Sequence, residues 1–438
     1  MRLRFRSDSW YLVALFITLI SAGSILLALP IAQEKSVSYI DALFIATSAV
    51  CVTGLITVDM GSFSYFGQTV ILLLIQLGGL GIISFTSLLM ILPGSRIPFR
   101  RISTIRSFYV DGVEYDPRRI VLTIVATTLV IEAIGAGALS FFFKKAGVQN
   151  FYFYGIFHAI SAFCNAGFSL FPNSMEDYAR NSGVLGVIMV LIILGGLGFI
   201  VLQDLYRRIT RKSRYLNFHS KVVLGMTLSL IGLGFIVYFF FENTNSFRTL
   251  PLGDKIINAL FQSVTTRTAG FDTVPQNLLS QPSKVFTILF MFIGAGPGSI
   301  AGGIKVSTIF IIIILMIRHP SPDGDIQAGK HRITAYTVNR ATVFFLKALS
   351  LLLLGALVLS LIEGNRGVAF DAIVFEVVSA FGTVGLSLGL TPQLSLGGKL
   401  VIICIMFAGR VGLVSLSFSL ARYKNYYITY PEGSVLLG

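Results

Sequence analysis

The chain has 438 residues, of which 54% are hydrophobic and 12% charged, with a mean hydropathy of +0.81. Water-soluble domains carry roughly 25% charged residues, so a composition this apolar excludes an aqueous globule and reads as an integral membrane protein. The net charge of +14 does not mark a nucleic-acid-binding protein, because it is distributed by topology. Most Lys and Arg fall in the N-terminus, the loops around 96–119, 207–221 and 318–340, and the tail. The positive-inside rule places these loops and both termini in the cytoplasm; beyond orientation, they fit lipid contact or a docked partner. Cys51, Cys164 and Cys404 all lie in apolar segments and give no disulfide framework.

Arg2, Arg4 and Arg6 precede Trp10 and an apolar segment from Tyr11 to Ile31. It is too long for a signal-peptide core and is read as a retained first helix. Further apolar segments long enough to cross a bilayer lie near 66–92, 119–143, 183–205, 221–241, 284–317, 336–362 and 399–421. Eight spans agree with two cytoplasmic termini. Between members of each pair stands a shorter apolar piece, at 40–50, 154–164, 255–266 and 371–382. About a dozen residues cannot span the hydrocarbon, so these read as re-entrant half-helices. The expected fold is all-α, with four helix, pore-loop, helix repeats around one central pore. The repeats are 1–92, 93–205, 206–317 and 318–421, followed by a tail at 422–438.

Each half-helix leads into a short strip ending in glycine: Val52-Thr53-Gly54, Asn165-Ala166-Gly167, Thr268-Ala269-Gly270 and Thr383-Val384-Gly385. The glycines recur at separations of 113, 103 and 115 residues. Glycine in irregular backbone can take φ > 0 and turn its carbonyl where other residues cannot. Four such strips around an axis would make a ring of oxygens able to replace the hydration shell of a monovalent cation. A second glycine landmark follows each strip, at Gly78, Gly195, Gly294 and Gly409, offset by 24, 28, 24 and 24 residues. Taken singly, such glycines read as close helix packing; their register with the strips is what marks a repeat. Thr383-Val384-Gly385 matches the first three residues of the TVGYG filter of tetrameric potassium channels, without the Tyr and Gly that follow, so fewer carbonyl layers are expected.

The third unit departs from the others. Its second span is interrupted by residues 294–305, where Gly294, Gly296, Gly298, Gly302, Gly303 and Pro297 cannot remain regular helix. At membrane depth such backbone is tolerated where it is buried in protein or lines a cavity. Lys305 and Arg410, charges inside apolar segments, are functional candidates by their cost. Arg410 could hold the loop through its carbonyls, stand as a positive barrier, or form a structural ion pair. Arg267, just before the third strip, is expected to pair with a carboxylate, Glu376 or Glu132, and so support the strips. His158 reads as a local hydrogen-bonding residue, with no second metal ligand at helical spacing. No nucleophile, base and orienting group occur together, so an enzyme is not expected. No span carries the periodic arginines of a voltage sensor.

The fourfold unit, the strips Val-Thr-Gly-Leu, Asn-Ala-Gly-Phe, Thr-Ala-Gly-Phe and Thr-Val-Gly-Leu, and the interrupted third-unit helix resemble the Trk/Ktr/HKT potassium transporter superfamily. The compact length is similar to its KtrB membrane subunits, and the resemblance covers nearly the whole chain. It implies potassium uptake across a bacterial cell membrane, with sodium as an activator and no covalently bound cofactor. It also implies a homodimer with one pore per protomer, seated on a cytoplasmic nucleotide-binding regulatory ring of the KtrA or KtrC kind. Gly54, Gly167, Gly270 and Gly385 would be the filter glycines, residues 294–305 the obstructing intramembrane loop, and Arg410 the family arginine facing that constriction. Glycine at the first strip goes with potassium preference in this family. Transport of sodium or of monovalent cations without selectivity is the alternative, and a secondary transporter of another solute a more distant one.

Overall fold

The computed structural model describes residues 8–91 and 117–411. Arg2, Arg4 and Arg6, most of the basic loop around 96–119, and the tail at 422–438 lie outside the described residues. The order long helix, short helix, irregular strip, helix occurs four times. The first unit contains α1 (Asp8–Ala28), α2 (Tyr39–Cys51) and α3 (Tyr65–Ile91), and the second α4 (Pro117–Lys145), α5 (Phe151–Phe163) and α6 (Ser182–Leu197) followed by α7 (Phe199–Ile209). In the third unit, α8 (Phe218–Glu242) and α9 (Leu252–Thr265) precede α10 (Gln281–Phe292) and α11 (Val306–Ile317). A two-stranded hairpin, β1 (Ile326–Ala328) and β2 (His331–Ile333), leads to the fourth unit, α12 (Ala335–Glu363), α13 (Phe370–Gly382) and α14 (Leu396–Val411).

Among the described residues, Leu122–Lys145, Phe218–Glu242 and Ala335–Arg366 are each long and apolar enough to cross a membrane. Val13–Ala28, Tyr65–Gly81 and Val306–Ile317 are shorter apolar helices. The expected span at 183–205 is not continuous. It breaks at Gly198, where φ is +87°, and α7 leaves α6 at 105°. The break lies against the third-unit loop: a Cβ at Gly198 would stand 2.6 Å from the Pro297 carbonyl oxygen, so glycine is required there. Two units therefore have a broken second helix, where the sequence reading recognised one.

The third and fourth units are fastened alike. Glu242, closing α8, accepts from the backbone N–H of Ser280 at 2.9 Å and its hydroxyl at 2.7 Å, just ahead of α10. Glu363, closing α12, does the same for Ser395 ahead of α14, at 2.8 and 2.6 Å. Both carboxylates are buried and satisfied by charge-assisted hydrogen bonds, which offset the desolvation of the acid. The first and last units are joined by an ion pair at 2.6 Å from Lys399 on α14 to Asp41 on α2.

Candidate functional site

The four short helices end at the core of the molecule, and the last three residues of each are buried. Each hands over to its strip through a left-handed residue: Val52 (φ 58°), Asn165 (56°), Thr268 (69°) and Thr383 (51°). Two residues on, each glycine is left-handed as well, at 92°, 70°, 78° and 96° for Gly54, Gly167, Gly270 and Gly385. A left-handed residue bearing a Cβ costs about 1–2 kcal/mol, so these conformations persist because their surroundings fix them. The N–H of Thr53 donates to the Ser48 carbonyl at 2.7 Å, that of Ala166 to Ser161 at 2.7 Å, and that of Val384 to Ser379 at 2.9 Å.

A set of hydroxyl residues not singled out by the sequence reading completes this fixing. The Ser48 hydroxyl accepts from the Gly54 N–H at 3.0 Å, and the Ser379 hydroxyl accepts from the Gly385 N–H at 3.1 Å. In the middle two units the polarity reverses: Ser161 donates to the Phe168 carbonyl at 2.8 Å, and Thr265 donates to that of Phe271. The signal was present in the sequence, a hydroxyl six residues before the strip glycine in three units and five before in the other.

The strips meet one another. A Cβ on Gly54 would run into the carbonyl oxygen of Ala166, one on Gly167 into that of Ala269, one on Gly270 into that of Val384, and one on Gly385 into that of Thr53. Each glycine thus faces the carbonyl of the next unit's strip, and the contacts close a cycle in chain order. The later glycines have a different task. A Cβ on Gly78, Gly195 or Gly409 would collide with the carbonyl of Val50, Phe163 or Phe381, each four residues before a strip glycine. They let the following helix press against the end of the short helix. Gly294 does not do this; it faces Gly302 inside the loop.

Between Phe292 and Val306 the chain forms a loop whose neck is closed by hydrogen bonds from Gly294 N–H to Ile304 carbonyl (2.8 Å) and from Val306 N–H to Ala295 carbonyl (3.1 Å). It reaches the other three units. Gly296 N–H donates to the Gly196 carbonyl on α6 at 2.9 Å, Gly302 N–H donates to the Thr383 hydroxyl at 3.0 Å, and Ile300 packs on Gly79 of α3. Arg410, buried in α14, donates to the carbonyls of Ile300, Gly78 (2.6 Å) and Gly79 (3.3 Å). Among the described residues it makes no ion pair, so of the sequence readings the carbonyl clamp is the one with contacts, and the structural ion pair is set aside. Lys305 turns back on the loop and donates to the Ala301 carbonyl.

Arg267 is where expectation and geometry part. It is buried, but neither Glu376 nor Glu132 is its partner. Its guanidinium reaches the Thr227 hydroxyl at 3.4 Å beside a small cavity bordered by Val264 and Ala295. Glu376 instead accepts from the hydroxyls of Ser387 (2.7 Å) and Thr391, strapping the segment after the fourth strip from behind. Glu132 accepts from the Gln76 amide at 3.1 Å. Which acid a buried cation meets is set by packing between the units, which sequence spacing does not reveal. His158 is a local residue: one ring nitrogen lies 2.8 Å from the Tyr154 carbonyl and the other 3.1 Å from the Ser169 hydroxyl.

A buried cycle of glycines and carbonyls, with a clamped loop touching every unit, is an arrangement suited to moving an ion rather than to covalent chemistry. Residues 1–425 match the family described as TrkH, cation transport protein. The chain is 38% identical to the Ktr system potassium uptake protein B of Bacillus subtilis, across 99% of this chain and 97% of that protein. It is 36% identical to the protein of the same name from Vibrio alginolyticus (97% and 93%), and 38% identical to the potassium/sodium uptake protein NtpJ of Enterococcus hirae (100% and 99%). The fold is similar to that of the crystal structure of the potassium transporter TrkH from Vibrio parahaemolyticus. The TM-score there is 0.78 at 22% identity, over 96% of this chain and 86% of that one. The chain belongs to the TrkH/Ktr family of cation transport proteins. It is accordingly an integral membrane transporter and not an enzyme.

Proposed function

We propose that the chain takes up potassium across a bacterial cell membrane, passively down its electrochemical gradient, through a pore at the centre of the four strips. The observation that carries this is the closed cycle of contacts from Gly54, Gly167, Gly270 and Gly385 to the carbonyls of Ala166, Ala269, Val384 and Thr53. Left-handed residues alternate with ordinary ones along each strip. This turns neighbouring carbonyls toward a common axis, where the oxygens of all four strips take the place of an ion's water shell. The short helices direct their C-terminal, partially negative ends at the same place. In this reading eight spans carry the four units, both termini are cytoplasmic, and the loop 294–305 closes the path until Arg410 releases it.

Relatives named as components of a Ktr system support a partner subunit; that this partner is a cytoplasmic nucleotide-binding ring, and that the chain is a homodimer, is what the family resemblance implies. The decisive measurement is rubidium or potassium uptake by liposomes containing the purified chain, with sodium as competitor. Uptake that sodium does not suppress supports potassium selectivity; absence of monovalent cation flux from folded protein overturns the reading. Because the Enterococcus hirae relative is named as a potassium/sodium uptake protein, sodium permeation or activation is the second reading. Equal sodium and rubidium fluxes in the same assay would select permeation.

A further inference from the structure

The short helix α7 and the turn after it are not used by the filter or by Arg410. Its inner side is anchored: Val201 is buried with Leu197, Val223 and Val306, and the Asp204 carboxylate accepts from the Asn217 N–H at 2.8 Å. Its outer side is unusual for a basic segment. Ile209 is 78% exposed, Tyr206 59% and Tyr215 77%, interleaved with exposed Arg211, Lys212 and Arg214. The ammonium of Lys212 stands 5.9 Å from the centre of the Tyr206 ring. Asp204, the one acid between 199 and 217, is buried. If α6 crosses the bilayer, a helix leaving it at 105° runs close to the membrane plane.

We propose that α7 is an interfacial helix seated on the anionic phospholipid headgroups of the cytoplasmic leaflet, and that it ties this leaflet to the loop 294–305. A large aliphatic side chain at 78% exposure gains by entering the boundary between headgroups and acyl chains, while the interleaved cations meet lipid phosphates. An acidic protein surface would satisfy the cations but give Ile209 and the tyrosines no comparable apolar medium. The connection to the loop is short. The Phe199 N–H, at the start of α7, donates to the Gly298 carbonyl at 3.4 Å, and Gly198 has no room for a Cβ beside Pro297. A change in the tilt or depth of α7 is therefore felt by the loop within two residues. The lipid seat stands independently of the transport reading; its effect on flux rests on the loop being the gate.

The test uses the full chain carrying Trp10→Phe, which removes the single natural tryptophan, and Ile209→Trp at an exposed position. It is reconstituted in phosphatidylcholine vesicles, alone or mixed with phosphatidylglycerol, with bromine-labelled acyl chains as quencher. The expected result is blue-shifted, quenched emission from residue 209, with quenching that increases severalfold with phosphatidylglycerol. Replacing Arg211, Lys212 and Arg214 together by Gln should abolish that increase. Emission like that in water, unquenched in both vesicles, would overturn the lipid seat. So would quenching lost on adding a cytoplasmic partner protein, which would assign the face to that partner. Rubidium flux in the same vesicles reports the coupling. A dependence on phosphatidylglycerol that the triple Gln variant loses supports it, and quenching without any flux dependence overturns it while leaving the lipid seat intact.

Discussion

At Gly54 the backbone is left-handed (φ 92°) and a side chain would be driven into the Ala166 carbonyl of the neighbouring unit. Gly54→Ser must strain the strip, push that carbonyl away, or both. The expected outcome is a lowered preference for rubidium over sodium in liposome flux, with a loss of about 1–3 kcal/mol in stability read from the thermal midpoint. Unaltered relative fluxes would remove the strips from the ion path. Arg410 is the other decisive residue, because its guanidinium supplies donors to three carbonyls on two elements. Hydrogen bonds to a charged group contribute about 1.5–3 kcal/mol, so Arg410→Ala should free the loop and raise basal flux. Lys, with a point charge in place of a planar fork, should restore this only in part. Normal closed-state flux in the Ala variant would reduce Arg410 to a packing residue.

Among the elements, the loop 294–305 is tied to the fourth strip by Thr383, whose hydroxyl accepts from the Gly302 N–H. Thr383→Val keeps the β-branched shape in the left-handed position and removes only that acceptor, leaving a buried donor unsatisfied at a cost of about 1–3 kcal/mol. Flux should rise, as it should when part of 296–303 is deleted. If both variants fold and neither conducts faster, the loop is not the obstruction. The hairpin of β1 and β2 offers a check outside the apolar helices. There Asp325 accepts from the Ala335 N–H at 2.7 Å and pairs with Arg332. That backbone bond holds its carboxyl below the usual aspartate range, against the opposing effect of burial and with help from Arg332. A depressed acid contributes stability above its unfolded pKa and loses it as pH falls through the folded value. Asp325→Asn should therefore weaken amide protection of Ile326–Ile333 at neutral pH and match the wild type in strong acid, as measured by hydrogen exchange.

On the scale of the whole molecule, the four units close on one another through the glycine cycle and the Lys399 to Asp41 ion pair. Among the described residues, the basic residues Arg211, Lys212, Arg214, Lys330 and Arg332 stand exposed outside this closure. Purification in mild detergent together with a cytoplasmic nucleotide-binding subunit should yield a stable complex, and its absence under conditions that keep the chain folded would count against the proposed regulatory ring.

The sequence by itself determined the apolar class, the helical repeat and the four strips, because hydrophobic segment length and glycine register are local quantities that survive without coordinates. It also determined that residues 294–305 leave the helix, since several glycines and a proline are locally incompatible with it. The break at Gly198 was not legible. A lone glycine costs a helix only about 1 kcal/mol, and the close approach that requires glycine at 198 is to the loop carbonyl of Pro297, about a hundred residues away in sequence. Arg267 failed as a pairing for a similar reason: which acid a buried cation meets depends on helix rotation and packing, and those place it at Thr227, away from Glu376 and Glu132. Only the tertiary structure decided that each strip glycine faces the carbonyl of the next unit, because a cyclic contact exists only once all four units have assembled.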